Sequence, residues 1–192
     1  MNEETKRCWN TSKPLYIKYH DEEWGEPVHN DQKHFEFLIL DSFQAGLSWW
    51  IILQRREVFR KAFANFDPDK VAKYTVDDIE QLMQTEGMIK NKAKIASAIT
   101  NAQQFKKIQE EFGSFDAFIW CFVGGKTRHN SFKKLSELHA ETEESKAMSK
   151  DLKKRGFKFV GPTICYAYMQ AAGLVNDHLV DCFRYEQLRK VS

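Results

Sequence analysis

Apolar residues return along this chain at intervals of three and four, which is the signature of helices with one buried face. Phe35, Leu38, Ile39 and Phe43 form one such stripe, with Asn30 or Asp31 as the cap in front of it and Gly46 behind. Ser48 is placed to cap a second helix whose stripe is Trp49, Ile52, Leu53, Phe59 and Phe63. Asp67-Pro68 starts a short helical turn, because proline suits the first helical position. Thr75 and Asp78 have the spacing of a capping box, and Gly87 closes the helix they open. Asn91 to Phe112 reads as a long helix turning Ile95, Ile99, Ala102, Phe105 and Ile108 inward. Ser114 caps another that runs through Phe122 and stops at Gly124-Gly125. Residues 127–142 are polar and irregular and read as a surface excursion. Ser145 to Arg155 is a basic helix ended by Gly156, and Pro162 to Ala172 an apolar one closed by Gly173. Strand-like alternation is almost absent, so the pattern predicts an all-α protein.

Composition narrows the class. At roughly 150 residues per domain, 192 residues make one domain, 1–192. Apolar residues are 42% of the chain, enough for a core and too many for a disordered one. The longest apolar stretch, Leu47 to Leu53, falls far short of the about 20 residues a membrane span needs. Met1 to Arg7 is polar, with no apolar run behind it, so no secretory signal is expected. A cytoplasmic, reducing setting follows, in which Cys8, Cys121, Cys165 and Cys182 are thiols or metal ligands rather than disulfides. Cys121 and Cys165 lie in apolar helix faces and are expected to be buried thiols. The net charge of +2 says little, but its distribution says more. Met88 to Lys107 holds five lysines and no acid, and Lys146 to Lys158 six basic residues against Asp151. Such a face suits a polyanion, although a solvated helix surface looks the same.

Three constellations carry possible chemistry. Residues 146–173 form a helix, a turn bounded by Gly156 and Gly161, and a second helix. The second helix's N-terminus offers unpaired N–H groups and a positive dipole end, with Lys153 and Lys158 adding charge. That is the form of a helix-hairpin-helix phosphate seat, and equally of an ordinary helical hairpin packing Phe157 and Phe159. His178 and Cys182 are four apart and on a helix would share a face. Cys8 and His20 could complete a Cys2His2 zinc site joining the chain ends; a buried thiol and a surface histidine are the plain alternative. Tyr16, Tyr19, Trp24, Trp49 and Trp50 accompany the acid Asp41. Rings that stack and an acceptor for an exocyclic N–H are what a flipped base needs, though tryptophans at helix starts are commonly core.

Four strings give the chain a likeness. LYIKYHDEEWG (Leu15 to Gly25), QAGLSW (Gln44 to Trp49), LKKRGFKFVG (Leu152 to Gly161) and MQAAGLVNDH (Met169 to His178) closely resemble motifs of the 3-methyladenine DNA glycosylase I family. The resemblance runs from about Cys8 to Cys182. It implies a base-excision-repair enzyme of the helix-hairpin-helix superfamily that hydrolyses the N-glycosidic bond of 3-methyladenine in duplex DNA, leaving an abasic site. It implies a structural Zn2+ on Cys8, His20, His178 and Cys182. Tyr19 and Trp49 would be the aromatic walls of the base pocket, with Trp9, Trp24 and Tyr16 nearby, and Asp41 its carboxylate. Gly46 and Leu47 would meet DNA at the turn between the first two long helices, Leu47 as a wedge into the gap left by the flipped base. A monomer associated with the nucleoid through DNA is expected.

Two departures stand out. The family's pocket acid is usually glutamate, and Asp41 is one methylene shorter, so the base would sit deeper or a water would bridge. Cys8 and His20 are 12 apart, one residue tighter than the family's spacing, with a flexible N-terminal loop expected to let Cys8 reach the metal. The superfamily's catalytic aspartate falls at Asn176, beside Asp177, and an amide cannot serve. A cationic, self-activated lesion needs no such base. The rivals are a glycosylase of altered or broader alkyl-base specificity and a non-catalytic zinc-containing DNA-binding module.

Overall fold

The structure, a computed structural model, describes residues 5–190. Ten α-helices are present among them: α1 Pro14–Glu22, α2 Asp31–Gln44, α3 Trp49–Ala62, α4 Pro68–Val71, α5 Val76–Gln84, α6 Lys92–Phe112, α7 Phe115–Trp120, α8 Glu143–Lys154, α9 Pro162–Ala171 and α10 Phe183–Arg189. A two-residue parallel pair, β1 (Arg128–His129) with β2 (Val175–Asn176), is the described β-structure. No helix among the described residues is long and apolar enough to cross a membrane.

α2 is the axis of the fold. Every residue from His34 to Phe43 is buried, because α3, α6, α7 and α9 pack around it. Asn30 caps it by accepting from the Lys33 N–H at 2.9 Å. Asp31 does something the sequence does not suggest: its carboxylate accepts the Phe115 and Asp116 N–H groups at 2.9 Å, capping α7 from across the core. At the other end Lys94 donates to the carbonyls of Phe43 and Ala45 at 2.8 and 2.5 Å. A cation on orphan carbonyls offsets the negative end of the helix dipole. Lys94 is therefore buried and drops out of the basic face.

The capping box of Thr75 and Asp78 forms as the spacing predicts, as does the Ser114 cap, which accepts from Ala117 N–H at 3.0 Å. Several expectations are corrected. Ser48 occupies the position before α3, but its hydroxyl makes no capping bond. α8 begins two residues before Ser145, with Thr142 as cap and Ser145 answering it from inside. α1 lies in what reads as a flexible loop. Residues 127–142 are not a mere surface excursion: β1 joins β2, Phe132 accepts from the Val180 N–H at 2.9 Å, and Phe132 and Leu138 pack on the core. Backbone pairing holds this segment, so no apolar stripe announces it. Cys165 is buried as expected, whereas Cys121 is exposed, its position in the last turn after α7 facing outward.

Gly173 shows how closely α9 meets the segment after α1. Its φ is +70°, and a Cβ there would lie 2.3 Å from the Glu26 carbonyl carbon, so no other residue fits. This contact brings α9 against the chain that leaves the first aromatic helix.

Candidate active site and metal centre

His20 stands in the last turn of α1, Cys8 precedes that helix, His178 follows β2, and Cys182 is the residue before α10. His178 and Cys182 do not share a helix face. They are brought together by a turn in which the Cys182 N–H donates to the Leu179 carbonyl at 2.8 Å. All four are buried, and their ligand atoms lie within 4.8 Å of one another. His178 Nδ1 is 3.4 Å from both Cys8 Sγ and Cys182 Sγ, and His20 Nε2 is 3.6 Å from Cys182 Sγ. A tetrahedral zinc with ordinary bond lengths would need S···N separations of about 3.5 Å, so the donor set fits that ion. Its outer partners fit as well. His20 Nδ1 pairs with Asp21 at 2.7 Å, and His178 Nε2 donates to the Trp24 carbonyl at 2.8 Å. Each ring nitrogen facing the cysteines thereby keeps its lone pair on that side, His20 Nε2 also accepting the Cys8 N–H at 3.3 Å. Arg7 holds Asp21 in turn, at 2.7 Å. The Cys182 thiol is pulled below its ordinary range by the hydrogen bond from Cys8, whose own thiol that same bond and burial push up.

Next to this cluster is a cleft of about 190 Å³. Trp9, Tyr16, Tyr19, Trp24, Asp41 and Trp49 all line it, as the sequence reading expects. Trp9 stacks on Tyr16 with centroids 4.9 Å apart, and Tyr19 meets Trp49 at 5.1 Å. Trp50 lies outside it, against Tyr16 and Lys13. Asp41 is 2% exposed and its carboxylate makes no hydrogen bond among the described residues; its Oδ2 and Trp49 Nε1 are both buried without a partner there. An orphaned acceptor and an orphaned donor in one aromatic cleft amount to an unfilled demand for a polar ring. Burial alone pushes the Asp41 carboxyl well above its ordinary value, since no cation is near to offset the lost hydration. Four lining residues escape sequence reasoning: Gln44, Leu138, Ala167 and Gln170. Ala167 and Gln170 sit three apart on α9, so the face α9 turns to the cleft was the available signal. Leu138 carries none, since it reaches the cleft from an irregular segment.

A larger cavity of about 510 Å³ lies on the other side of Tyr19. Its walls are the ion pairs of Arg56 with Glu23 and Glu36, at 2.7 and 2.8 Å, and of Lys33 with the same two acids. Those charges satisfy each other and tie α1 to α2 and α3, leaving nothing directed at a ligand.

At the turn between α2 and α3, Gly46 takes φ +77° and Leu47 is 37% exposed, so it is not a core leucine. The α8–α9 hairpin buries Phe157 and Val160 and leaves Phe159 exposed, with φ +55°. Gly156 bends left-handed at +95°, while Gly161 precedes α9 in extended backbone with open space around it. Asn101, a fully buried residue of α6 that the sequence reading passes over, holds the turn: its Oδ1 accepts from the Lys158 N–H at 2.8 Å and its Nδ2 donates to the Lys158 carbonyl at 3.0 Å. Lys153 and Lys158 form no ion pair among the described residues, whereas Arg155 is taken up by Glu111 and Asp151. Asn176 and Asp177 are both buried and hydrogen-bonded within the protein.

The site is a small aromatic cleft with an unpaired carboxylate in its wall, set in a helical protein. Known proteins resemble this chain closely. The family model described as methyladenine glycosylase matches residues 9–185. DNA-3-methyladenine glycosylase of Haemophilus influenzae is 48% identical over 179 residues, covering 93% of this chain and 97% of that protein. DNA-3-methyladenine glycosylase 1 of Escherichia coli is 47% identical over 181 residues, covering 94% and 97%. A solved tyrosine-to-phenylalanine variant of 3-methyladenine DNA glycosylase I, in complex with 3-methyladenine, superposes with a TM-score of 0.92 at 36% identity, covering 95% of this chain and 98% of that one. The chain belongs to the methyladenine glycosylase family.

Proposed function

We infer that this protein excises 3-methyladenine from alkylated DNA as a monofunctional glycosylase, and we propose that the Asp41 cleft is where the base is held. The observation that carries the proposal is a buried carboxylate without a partner among aromatic rings. A phosphate-binding module gains nothing from such a group, which argues against the non-catalytic reading.

The chemistry follows from the substrate. Methylation at N3 gives the adenine a positive charge, so the bond to the sugar is already weakened and the base departs neutral without being protonated. The protein has to extrude the nucleotide, grip the base and exclude wrong ones. Tyr19 and Trp49 supply stacking surfaces, with Trp9, Tyr16 and Trp24 shaping the rest of the cleft. Asp41 accepts from the exocyclic amine, and the cation it faces draws its carboxyl toward the ionised form. Trp49 Nε1 has a hydrogen to give to a ring nitrogen. Asp177 is not available as a general base, its oxygens being occupied by Asn130, Tyr166 and Gln170.

Duplex DNA is proposed to lie along the α8–α9 hairpin acting as a helix-hairpin-helix element, with Lys153, Lys158, Gly156 and Gly161 against phosphate, and with Gly46 and Leu47 at the gap left by the base. The Cys8, His20, His178 and Cys182 tetrad is proposed to hold one structural Zn2+, all four positions being filled by protein. The described residues share one core cluster running from Cys8 to Cys182, which supports the chain acting as one domain. Single-turnover release of bases from methylated duplex DNA tests the assignment. Asp41→Asn should release 3-methyladenine on the order of ten- to a hundredfold more slowly while still folding and binding undamaged DNA. Full activity in that variant would put the base elsewhere.

A further inference from the structure

Asp177 gathers three donors. Asn130 Nδ2 reaches Oδ1 at 2.7 Å, and Tyr166 Oη and Gln170 Nε2 reach Oδ2 at 2.7 and 2.8 Å. The carboxylate is 1% exposed and sits behind α9, away from solvent. A carboxylate can only accept, so the Gln170 amide must present its NH2 to Asp177, and its oxygen is turned the other way. That oxygen has no hydrogen-bond partner among the described residues, and Gln170 lines the same cleft as Asp41. One residue thus joins a buried, fully used carboxylate to the base cleft, with the polarity of its amide fixed from behind.

We propose that Gln170 is a specificity-determining residue, its amide oxygen accepting the second N–H of the exocyclic amine, and that Asp177 is a positioning residue that prevents the amide from turning over. The inference rests on the base-cleft reading above. An exocyclic amine carries two N–H groups, one for Asp41 and one for Gln170. A keto oxygen at the same place on the ring has none, and it would face two acceptors with no hydrogen between them. Such a site rejects the keto base by leaving buried polar groups unpaired, which discriminates more sharply than shape. Asn130 comes from the segment before α8, so the contact also ties that segment to the pocket wall.

The test compares 3-methyladenine with 3-methylguanine, N3-alkylated cationic lesions of which the first carries an amine at C6 and the second a keto oxygen there, with an N1 hydrogen and a 2-amino group besides, in single-turnover excision from methylated duplex DNA; each variant is read as a change in the ratio from wild type. Gln170→Met keeps the length and removes the acceptor. It should slow 3-methyladenine release about tenfold and leave 3-methylguanine release unchanged or faster, so that the adenine-to-guanine ratio falls about tenfold. Asp177→Asn lets the amide turn over and should lower the same ratio, with metal content and affinity for undamaged DNA unchanged. In the Gln170→Met background it should lower the ratio no further, because both changes act through one oxygen. Should Gln170→Met not fold, Gln170→Asn, which withdraws the amide by one methylene, reads the same ratio. Equal slowing of both bases, or no change in a folded variant, overturns the proposal. Wild-type protein that releases no 3-methyladenine would instead overturn the base-cleft reading itself.

Discussion

A buried carboxylate without a partner is a cost to the fold, and Asp41 bears that cost in the middle of the most buried helix. Its folded pKa lies above its ordinary value, so protonation is favoured in the folded state. The stability it permits is fully present below the unfolded pKa and is lost as pH rises through the raised folded one. Asp41→Asn, neutral at every pH, should therefore raise Tm by a few degrees at pH 8 and hardly at all at pH 4; 1 kcal/mol moves Tm by about 2–4 °C at this length. Thermal melts at the two pH values check it. With Asp41 as the proposed grip on the cationic base, excision should have the opposite dependence: wild-type kcat/KM should climb with pH through the raised Asp41 pKa, and Asp41→Asn should lose that limb. Asp41→Glu should retain substantial activity, since it restores the residue usual in the family. At this scale the sequence put the right residue types on the page. It did not show that Asp41 is sealed, because an acid within an apolar run looks the same whether one side of the helix or all sides are covered.

Among the elements, the α8–α9 hairpin separates charge from shape. Lys158 contributes a free ammonium, whereas its own backbone is held by Asn101. Lys158→Gln should weaken binding to all duplexes alike and reduce the salt slope by about one unit, read from binding titrations at several salt concentrations. Asn101→Ala should instead lower stability by about 1 kcal/mol, removing both bonds that hold the Lys158 backbone, and should weaken DNA binding with little change in slope. Denaturant unfolding alongside the same titrations distinguishes the two. Helices with strong local signals were legible: Thr75 and Ser114 cap where spacing predicts, Asn30 is the cap of the two residues offered, and the long helix read from Asn91 starts one residue later with Asn91 as its cap. α1 and α10 were not. Neither has a side-chain cap, and both are short, so packing rather than local preference decides that they are helical.

For the molecule as a whole, the Cys8, His20, His178 and Cys182 cluster fastens the start of the chain to its end. Purified protein should contain one zinc per chain, and Cys182→Ala should lose it, as metal analysis will read. Chelation should lower Tm by about 10 °C or more, since metal binding of this kind is worth several kcal/mol at ~2–4 °C each. Undiminished Tm after complete metal removal would count against a structural role.

What the sequence determined by itself is what repeats locally. The three-and-four spacing of apolar residues, the caps and the glycine stops produce most of the helices, since each signal acts within a turn or two of chain. Four motifs were enough for the family, because their order and composition record the site's chemistry without its geometry. Tertiary structure decided whatever needed partners far apart in the chain. Asp31 caps α7, Lys94 closes α2, Asp177 fixes the Gln170 amide with help from Asn130, and Leu138 reaches the cleft from a segment that reads as surface. These contacts depend on which faces meet when the helices pack around α2. A polar side chain has the same identity in solvent, at a distant helix end or in a cleft wall, and burial alone tells these apart.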